Sequence, residues 1–515
     1  MRRNIKEITG FCRFRGVFDD MKKSNQRASG ILLSITSLPS EYGIGTMGKA
    51  AYEFVDFLKK SGQSYWQMLP VGPTGYGNSP YQSYSSFAGN PYLIDLSILC
   101  EEGLLTQEEC RSYSWGNNPA RVNYYVIEAN RLTLLRQAFA RGKDDPALHQ
   151  FRQENAGWIE DYALYMGIKN RMGLRPWSLW DEDIKRREPA AMDYWRQEVK
   201  EDIDFYCFIQ YHFYKQWNAL RNYAHENDIA LIGDIPIYAA MDSADTWADG
   251  KVFMLNENCD PIDVAGCPPD AFSATGQLWG NPIYNWDYLK ETDYDWWIRR
   301  LRHITNMFDV TRIDHFRGFA GYYAIPYGDQ TAENGQWRTG PGMDFFNAVK
   351  RHLGQVNLIA EDLGYLTPDV IQLREDTGYP GMKVLQFAFD SREESDYLPH
   401  NYDHNCVVYT GTHDNDTTRS WFDTADPADV EHAKKYLDVC DKEKGAWAFI
   451  RCAMMSTANL CVIPMQDYLN LGGEARMNFP GTVGSNWTWR VKKGYCSNAL
   501  AAKILELTKR YDRTV

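Results

Sequence analysis

No pair of cysteines in this sequence is spaced C-x-x-C, and the eleven present are an odd number whose closest spacing is Cys259 to Cys267. That pattern excludes a disulfide framework and a zinc ribbon, and it fits reduced thiols in a cytoplasm. No apolar run approaches the roughly 20 residues that a membrane-spanning helix needs. The N-terminus carries Arg2, Arg3, Lys6, Arg13 and Arg15 without the unbroken apolar stretch of a signal peptide, and Met21, followed by Lys22 and Lys23, is an alternative start. Positive charge is in deficit: the formal net charge is −13. A chain so charged is not built to neutralise nucleic-acid phosphates or an anionic membrane. The ten His are scattered, with no H-E-x-x-H, so no metal-ligand pattern emerges. G-x-S-x-G is absent, which removes the nucleophile elbow that His413 and Asp414 would need for a Ser-His-Asp reading. There is no internal repeat or low-complexity tract. Aromatic residues are plentiful at 14%; they serve cores, and their flat faces also suit sugar rings.

The 515 residues accommodate one large barrel enzyme with insertions, or two to four average domains. Short apolar runs recur at 30–38, 65–71, 92–96, 229–238, 310–316, 357–364, 382–389, 406–414 and 459–469, separated by helical patterns. Continuous apolar runs of this length are the mark of parallel strands buried on both faces. Ala51, Phe54, Val55 and Leu58 define one helix face, and Val122, Tyr125, Ala129, Leu132 and Phe139 define another. About eight strands with crossover helices predict a (β/α)8 barrel, with a doubly wound sheet as the alternative. Residues from about 101 to 225 read as an inserted helical subdomain. Residues 256–286, rich in Pro, Gly and aromatics, read as a long loop without regular structure, and such loops are usually functional. The barrel region is 30–515, with 1–29 an unassigned extension.

Residues 42–50 (YGIGTMGKA) contain a literal G-x-G-x-x-G, with Gly43, Gly45 and Gly48, between a strand and a helix. A dinucleotide site also needs an acid at the end of the next strand, and that strand ends Met68-Leu69-Pro70-Val71. The same residues almost spell a P-loop, but Ala50 stands where the magnesium-binding hydroxyl belongs. Asp234 imitates a Walker B acid and keeps a nucleotide hydrolase as a rival reading. The simpler reading is a glycine-rich turn feeding a helix.

Three strand ends finish in an acid. Arg312 and Asp314, two apart, project from one strand face. A guanidinium there favours the charged carboxylate, the form that attacks an anomeric carbon; taken alone, the pair reads sooner as a structural ion pair. Glu361 ends the next strand among apolar neighbours, where a carboxyl can keep its proton near neutral pH and act as general acid. Asp414 ends the strand two further on, placed either to support a positively charged transition state or to cap the helix after Thr417. Barrel active sites are assembled from acids at the C-terminal ends of several strands, which favours the joint reading. Two carboxylates in these roles describe a retaining double displacement through a covalent glycosyl-enzyme.

At these residues the chain resembles the 4-α-glucanotransferases, also called amylomaltase or disproportionating enzyme, of the α-amylase clan. The matching segments are GILLSITSLPSEYGIGTMG, GYGNSPYQSYSSFAGNPYLIDL, GDIPIYAAMDSADTW, AGCPPDAFSATGQLWGNPIYNW, VTRIDHFRGF, LIAEDLG, YTGTHDNDT and EARMNFPGTVG, spread from Gly30 to Gly484. The resemblance implies transfer of α-1,4-glucan segments between maltooligosaccharides. It implies Asp314 as nucleophile, Glu361 as acid/base and Asp414 as transition-state stabiliser, flanked by Arg312 and His413. It further implies Asp234 as a sugar-binding acid, Asp270, Gln277 and Trp279 as glucan contacts on a loop over the cleft, and Ser79, Tyr81 and Asn478 as further binding residues. No organic cofactor and no metal are implied. The tail after Leu469 is too short for the C-terminal β-sandwich of typical α-amylases. An α-glucan hydrolase of the same clan and an inactive glucan-binding scaffold remain alternatives.

Overall fold

The computed structural model of the chain describes residues 27–269, 273–364, 366–392, 394–439 and 442–514. The alternative start at Met21 and the candidate Asp270 lie outside the described residues. In chain order the strands are β1 (Ala28–Leu32), β2 (Tyr65–Gln67), β3 (Ala230–Ile235), β4 (Asp263–Cys267), β5 (Gln277–Pro282), β6 (Val310–Ile313), β7 (Gly321–Pro326), β8 (Gln336–Thr339), β9 (Leu358–Ala360), β10 (Gly381–Val384), β11 (Cys406–Tyr409) and β12 (Leu460–Pro464).

Eight of these form a parallel sheet in the order β10-β11-β12-β1-β2-β3-β6-β9. The Ala360 N–H donates to the Pro380 carbonyl at 2.9 Å and joins the two end strands, so the sheet closes as a (β/α)8 barrel. Nearly every strand position is buried, because helices cover the outside and side chains fill the inside. Across the interior the Tyr409 hydroxyl donates to Gln67 Oε1 at 2.9 Å.

Eight of the nine apolar runs are barrel strands, each shorter than its run, since the chain leaves the sheet in 3-10 turns such as Ile35–Ser37 and Phe316–Phe319. The ninth, 92–96, is not a strand. Asn90 accepts from the Tyr92 N–H and starts a 3-10 turn, and Asp95 accepts from the Ser97 and Ile98 N–H groups and starts the helix Leu96–Glu101. Two capping residues within six positions, Asn90 and Asp95, outweigh a short apolar run.

Between β2 and β3 the chain is helical and ends in the 27-residue helix Lys200–Glu226. That helix packs beside Lys49–Lys60 on the barrel wall, with the Tyr223 hydroxyl donating to Asp56 at 2.7 Å. The apolar face expected for residues 122–139 is displaced. The helix Tyr124–Gly142 buries Ile127, Leu134, Leu135, Ala138 and Phe139, while Tyr125 is 82% exposed. Residues 256–286 are not without regular structure. They contain β4 and β5, which join β7 and β8 in an antiparallel sheet ordered β5-β4-β7-β8. The partner strands β7 and β8 lie beyond β6, and a register shift interrupts β4 against β5, so no local alternation announces this sheet.

The G-x-G-x-x-G turn is explained by packing. A Cβ on Gly45 would stand 1.9 Å from the Ile35 carbonyl, and one on Gly48 would stand 2.0 Å from Asp95 Oδ2. The Asp95 carboxylate, which also accepts from Thr46 at 2.5 Å, presses against the start of helix Lys49–Lys60, where a phosphate would have to sit. Among the described residues no helix is long and apolar enough to cross a membrane, no cluster of His, Cys, Asp and Glu is arranged to hold a metal, and the nine described cysteines are free thiols.

Candidate active site

Strand register puts the acids together. β3 pairs with β6 so that Asp234 faces Arg312, and β6 pairs with β9 so that Arg312 faces Ile359. Asp314 and Glu361 each follow by two residues, so they stand level at the C-terminal end of the barrel on the same face as Arg312. The Asp314 N–H donates to the Ile235 carbonyl and the Glu361 N–H to the Ile313 carbonyl, which continues the ladder into the site.

Arg312 is the hub. Its Nη1 donates to both oxygens of Asp234 at 2.8 Å, its Nη2 donates to Asp314 Oδ1 at 2.8 Å, and its Nε lies 3.4 Å from Met382 Sδ. Burial works against its charge, yet Asp234 and Asp314 hold the guanidinium well above its ordinary value. The Asp234 side chain is 0% exposed, whereas that of Asp314 is 32% exposed. Asp234 therefore braces Arg312 from behind, and Asp314 is the member of the trio that a ligand reaches. Burial raises the Asp234 carboxyl and Arg312 opposes that rise. Its second oxygen also accepts from the Tyr81 hydroxyl at 2.7 Å.

Glu361 is set differently. Its Oε2 accepts from the His315 N–H at 2.7 Å and its Oε1 from the Leu363 N–H at 2.9 Å. Burial, then the charge of Asp314, pushes the Glu361 carboxyl up to about 7, with Arg312 and the two N–H groups opposing. Two neighbouring carboxyl groups thus sit in opposed environments, one gripped by a guanidinium and one desolvated, which is how a site separates a nucleophile from an acid.

Asp414 approaches from the loop after β11 and its side chain is 46% exposed. Asn478 Nδ2 donates to its Oδ1 at 2.7 Å, and Arg476 Nη2 donates to its carbonyl at 2.9 Å. His413 is buried with its ring stacked on Tyr81 at 5.0 Å; its Nε2 lies 3.4 Å from Asp414 Oδ2. Replacing Asn478 with Ala leaves Asp414 free to turn. We expect a loss of about tenfold in kcat/KM, the worth of one charge-assisted hydrogen bond, with the melting temperature unchanged within 2 °C or so; steady-state kinetics and calorimetry check both.

The remaining candidates fall in two groups. Trp279 Nε1 donates to Gln277 Oε1 at 3.1 Å, and the Trp279 ring meets His315 edge-on at 4.8 Å, so β5 reaches the turn that follows Asp314. Ser79 Oγ accepts from the Tyr81 N–H at 3.3 Å and shapes the turn that presents Tyr81. Two participants escape sequence reasoning. His315 adopts a left-handed backbone (φ 52°), which aims its N–H at Glu361, and burial lowers its ring to about 4. Its position directly after Asp314 was the available signal. Trp487 packs 5.9 Å from both Tyr81 and His413, and nothing near it in sequence marks it.

Comparison with known proteins agrees with this geometry. Residues 33–496 match the family described as 4-alpha-glucanotransferase. A Clostridium butyricum 4-alpha-glucanotransferase is 48% identical over 485 residues, 93% of this chain and 100% of that protein. The chloroplastic/amyloplastic 4-alpha-glucanotransferase of Solanum tuberosum is 42% identical over 94% of this chain and 85% of its own length. Among solved structures, an amylomaltase from Streptococcus agalactiae in complex with acarbose superimposes with a TM-score of 0.93 at 40% identity, covering 95% of this chain and 100% of that one.

Proposed function

This chain belongs to the 4-alpha-glucanotransferase family, and from that premise we propose how its own residues carry out glucan transfer. The substrates are maltooligosaccharides and longer α-1,4-glucans of starch, glycogen or maltodextrin metabolism. Asp314 attacks the anomeric carbon of the donor while Glu361 gives its proton to the departing glycosidic oxygen. The bond from that carbon to Asp314 forms as the bond to the leaving chain breaks. Glu361, now a carboxylate, takes the proton from the 4-hydroxyl of a second chain, whose oxygen displaces Asp314. Two inversions leave the product with the α-configuration of the donor.

The observation that carries this reading is the level pairing of Asp314 with Glu361, one on a guanidinium and the other pushed up to about 7. Asp414, held by Asn478, is placed to interact with sugar hydroxyls and with the positive charge that develops at the anomeric centre. Transfer prevails over hydrolysis when an acceptor is positioned and water is excluded. The β5-β4-β7-β8 sheet, which brings Gln277 and Trp279 against the catalytic turn, is suited to both tasks.

Incubation with maltotriose separates transfer from hydrolysis. Glucose together with maltopentaose and longer products is the expected result. Maltose and glucose in equal amounts, with nothing longer than the substrate, would assign the chain to hydrolysis.

A further inference from the structure

We infer that Asp467 is a positioning residue, the common anchor from which both Asp414 and its partner Asn478 are held over the reacting centre. The inference rests on the reading of Asp414 as the group that supports the transition state. Asp467 is 2% exposed, so it acts on the reaction only through the groups it holds. The neighbouring strands β11 and β12 each lead into a segment that contributes to the site. The loop after β11 carries His413 and Asp414, and the segment after β12 carries Arg476 and Asn478. Asp467 stands in the short helix Met465–Tyr468 that directly follows β12. Its Oδ2 accepts from the Thr410 hydroxyl at 2.5 Å and from the Thr418 hydroxyl at 2.7 Å, and its Oδ1 accepts from the Thr418 N–H at 2.8 Å. Thr410 directly follows β11, and Thr418 opens the helix Thr418–Thr424. One carboxylate therefore fastens both ends of the loop 410–418, whose middle residue is Asp414.

The other half of the grip starts from the same residue. The Asp467 carbonyl accepts from the Asn470 N–H at 3.0 Å, where a left-handed backbone (φ 53°) turns the chain. The Asn470 carbonyl in turn accepts from Arg419 Nη1 at 3.2 Å, which ties this turn to the helix that follows the Asp414 loop. The chain then runs to Arg476 and Asn478, and both return to Asp414. A closed ring results: from Asp467 to Thr410, along the loop to Asp414, across to Asn478 and back to Asp467. Gln386 braces the same loop from the β10 side, its N–H donating to the Thr410 carbonyl at 3.2 Å and its Nε2 to the Asp416 carbonyl at 2.8 Å.

The chemistry of this ring favours positioning over stability alone. A carboxylate shut away from water costs free energy unless it is fully hydrogen-bonded, and apolar residues often serve the fold as well in its place. Here burial pushes the Asp467 carboxyl up, and hydrogen bonds from Thr410 and Thr418 oppose that rise, with no cation among the opposing groups. Thr410 and Thr418 are themselves 0% exposed, so the three residues form one rigid knot. Asp414, with its side chain 46% exposed, lacks such packing and takes its place from the backbone and from Asn478. Support of a developing charge depends on where an oxygen stands before reaction begins, and a shift of about 1 Å can cost about a hundredfold in rate.

Kinetics of the full chain on maltotriose test this. Thr410→Val/Thr418→Val keeps the shape of both side chains and removes the two hydroxyl donors. Its kcat should fall about 10- to 100-fold, with KM within about threefold, because the interaction lost belongs to the transition state. Asp467→Asn should keep about a third or more of wild-type kcat, since its oxygen still accepts from the Thr418 N–H and its amide donates to hydroxyls that can turn to accept. The deciding measurement repeats the threonine substitutions in an Asp414→Asn background. There the carboxylate through which Asp467 acts is already gone, so the additional loss should be under about twofold. A loss that came only from a weakened fold would recur in full. The single variants Thr410→Val and Thr418→Val, each expected to lose about threefold in kcat, allow the same comparison should the double variant fail to fold. Unchanged kcat in the threonine variants, or an equal loss with and without the Asp414 carboxylate, would overturn the positioning role. Wild-type turnover in Asp414→Asn alone would instead overturn the reading of Asp414 on which that role rests.

Discussion

Asp314→Asn is expected to lower maltotriose turnover by about 10⁴-fold or more, the scale on which enzymes lose rate when their nucleophile is removed. The substitution keeps size and shape, and the Asn oxygen still accepts from Arg312 Nη2, so the buried guanidinium is not stripped of both partners. Asp234, bonded through both oxygens, continues to hold it. What disappears is the oxygen that, in the proposed mechanism, forms the bond to the anomeric carbon. Glucose release from maltotriose gives the rate, and the unfolding transition should move little. A variant that retains a tenth of wild-type turnover while folded would remove Asp314 from the nucleophile's role and with it the covalent mechanism.

Glu361→Gln is expected to cost about 10²–10⁴-fold in kcat, the usual contribution of a general acid. Three further results distinguish loss of the acid from loss of shape. A donor whose leaving group needs no proton, such as α-maltosyl fluoride, should recover much of the first step, since Asp314 is untouched. In the wild type, activity should decline as pH rises through about 7, because Glu361 must begin the cycle protonated and its carboxyl is pushed up to about 7. That limb should vanish in the variant. The stability consequence has a definite sign. The folded carboxyl binds its proton more tightly than the unfolded one, so its contribution is full below about pH 4.5 and is lost as pH rises through 7. Gln cannot ionise, so the variant should melt higher than wild type at pH 8 and close to it at pH 4. An equal or lower melting temperature at pH 8, with the alkaline limb retained, would assign the limb to another group.

Much of the fold and of this site is legible in the residue pattern, for identifiable reasons. Apolar runs such as 310–316 and 357–364 must be buried on both faces, and their terminal acids then fall at one end of a barrel. The two-residue spacing of Arg312 and Asp314 requires a shared face, and their side chains do meet. Failures occur where local patterns compete or where partners are distant. Residues 92–96 are apolar yet capped at both turns, and the caps prevail. The face assigned to residues 122–139 is offset because the buried Arg131 stands among its true members, and a charged residue breaks a hydrophobic count. The β4–β5 pair depends on β7, which lies across the catalytic strand in sequence. The glycine turn at 43–48 imitates a nucleotide motif because both uses need backbone without a Cβ; the missing strand-end acid and Ala50 already argue against that motif, and Asp95 occupies the place a phosphate would need.

The residue pattern alone establishes which atoms are present to do chemistry: acids at the ends of buried strands, an arginine two residues before one of them, and no metal-ligand pattern to compete with them. Composition and periodicity suffice for that, since burial and side-chain alternation are local consequences of the chain. The folded barrel alone establishes what surrounds each acid. Register between strands distant in sequence seats Asp234 behind Arg312, leaves Asp314 accessible, and surrounds Glu361 with a desolvating wall beside a negative charge. Proton affinity depends on the whole of a group's surroundings, and those surroundings exist only once the barrel has closed.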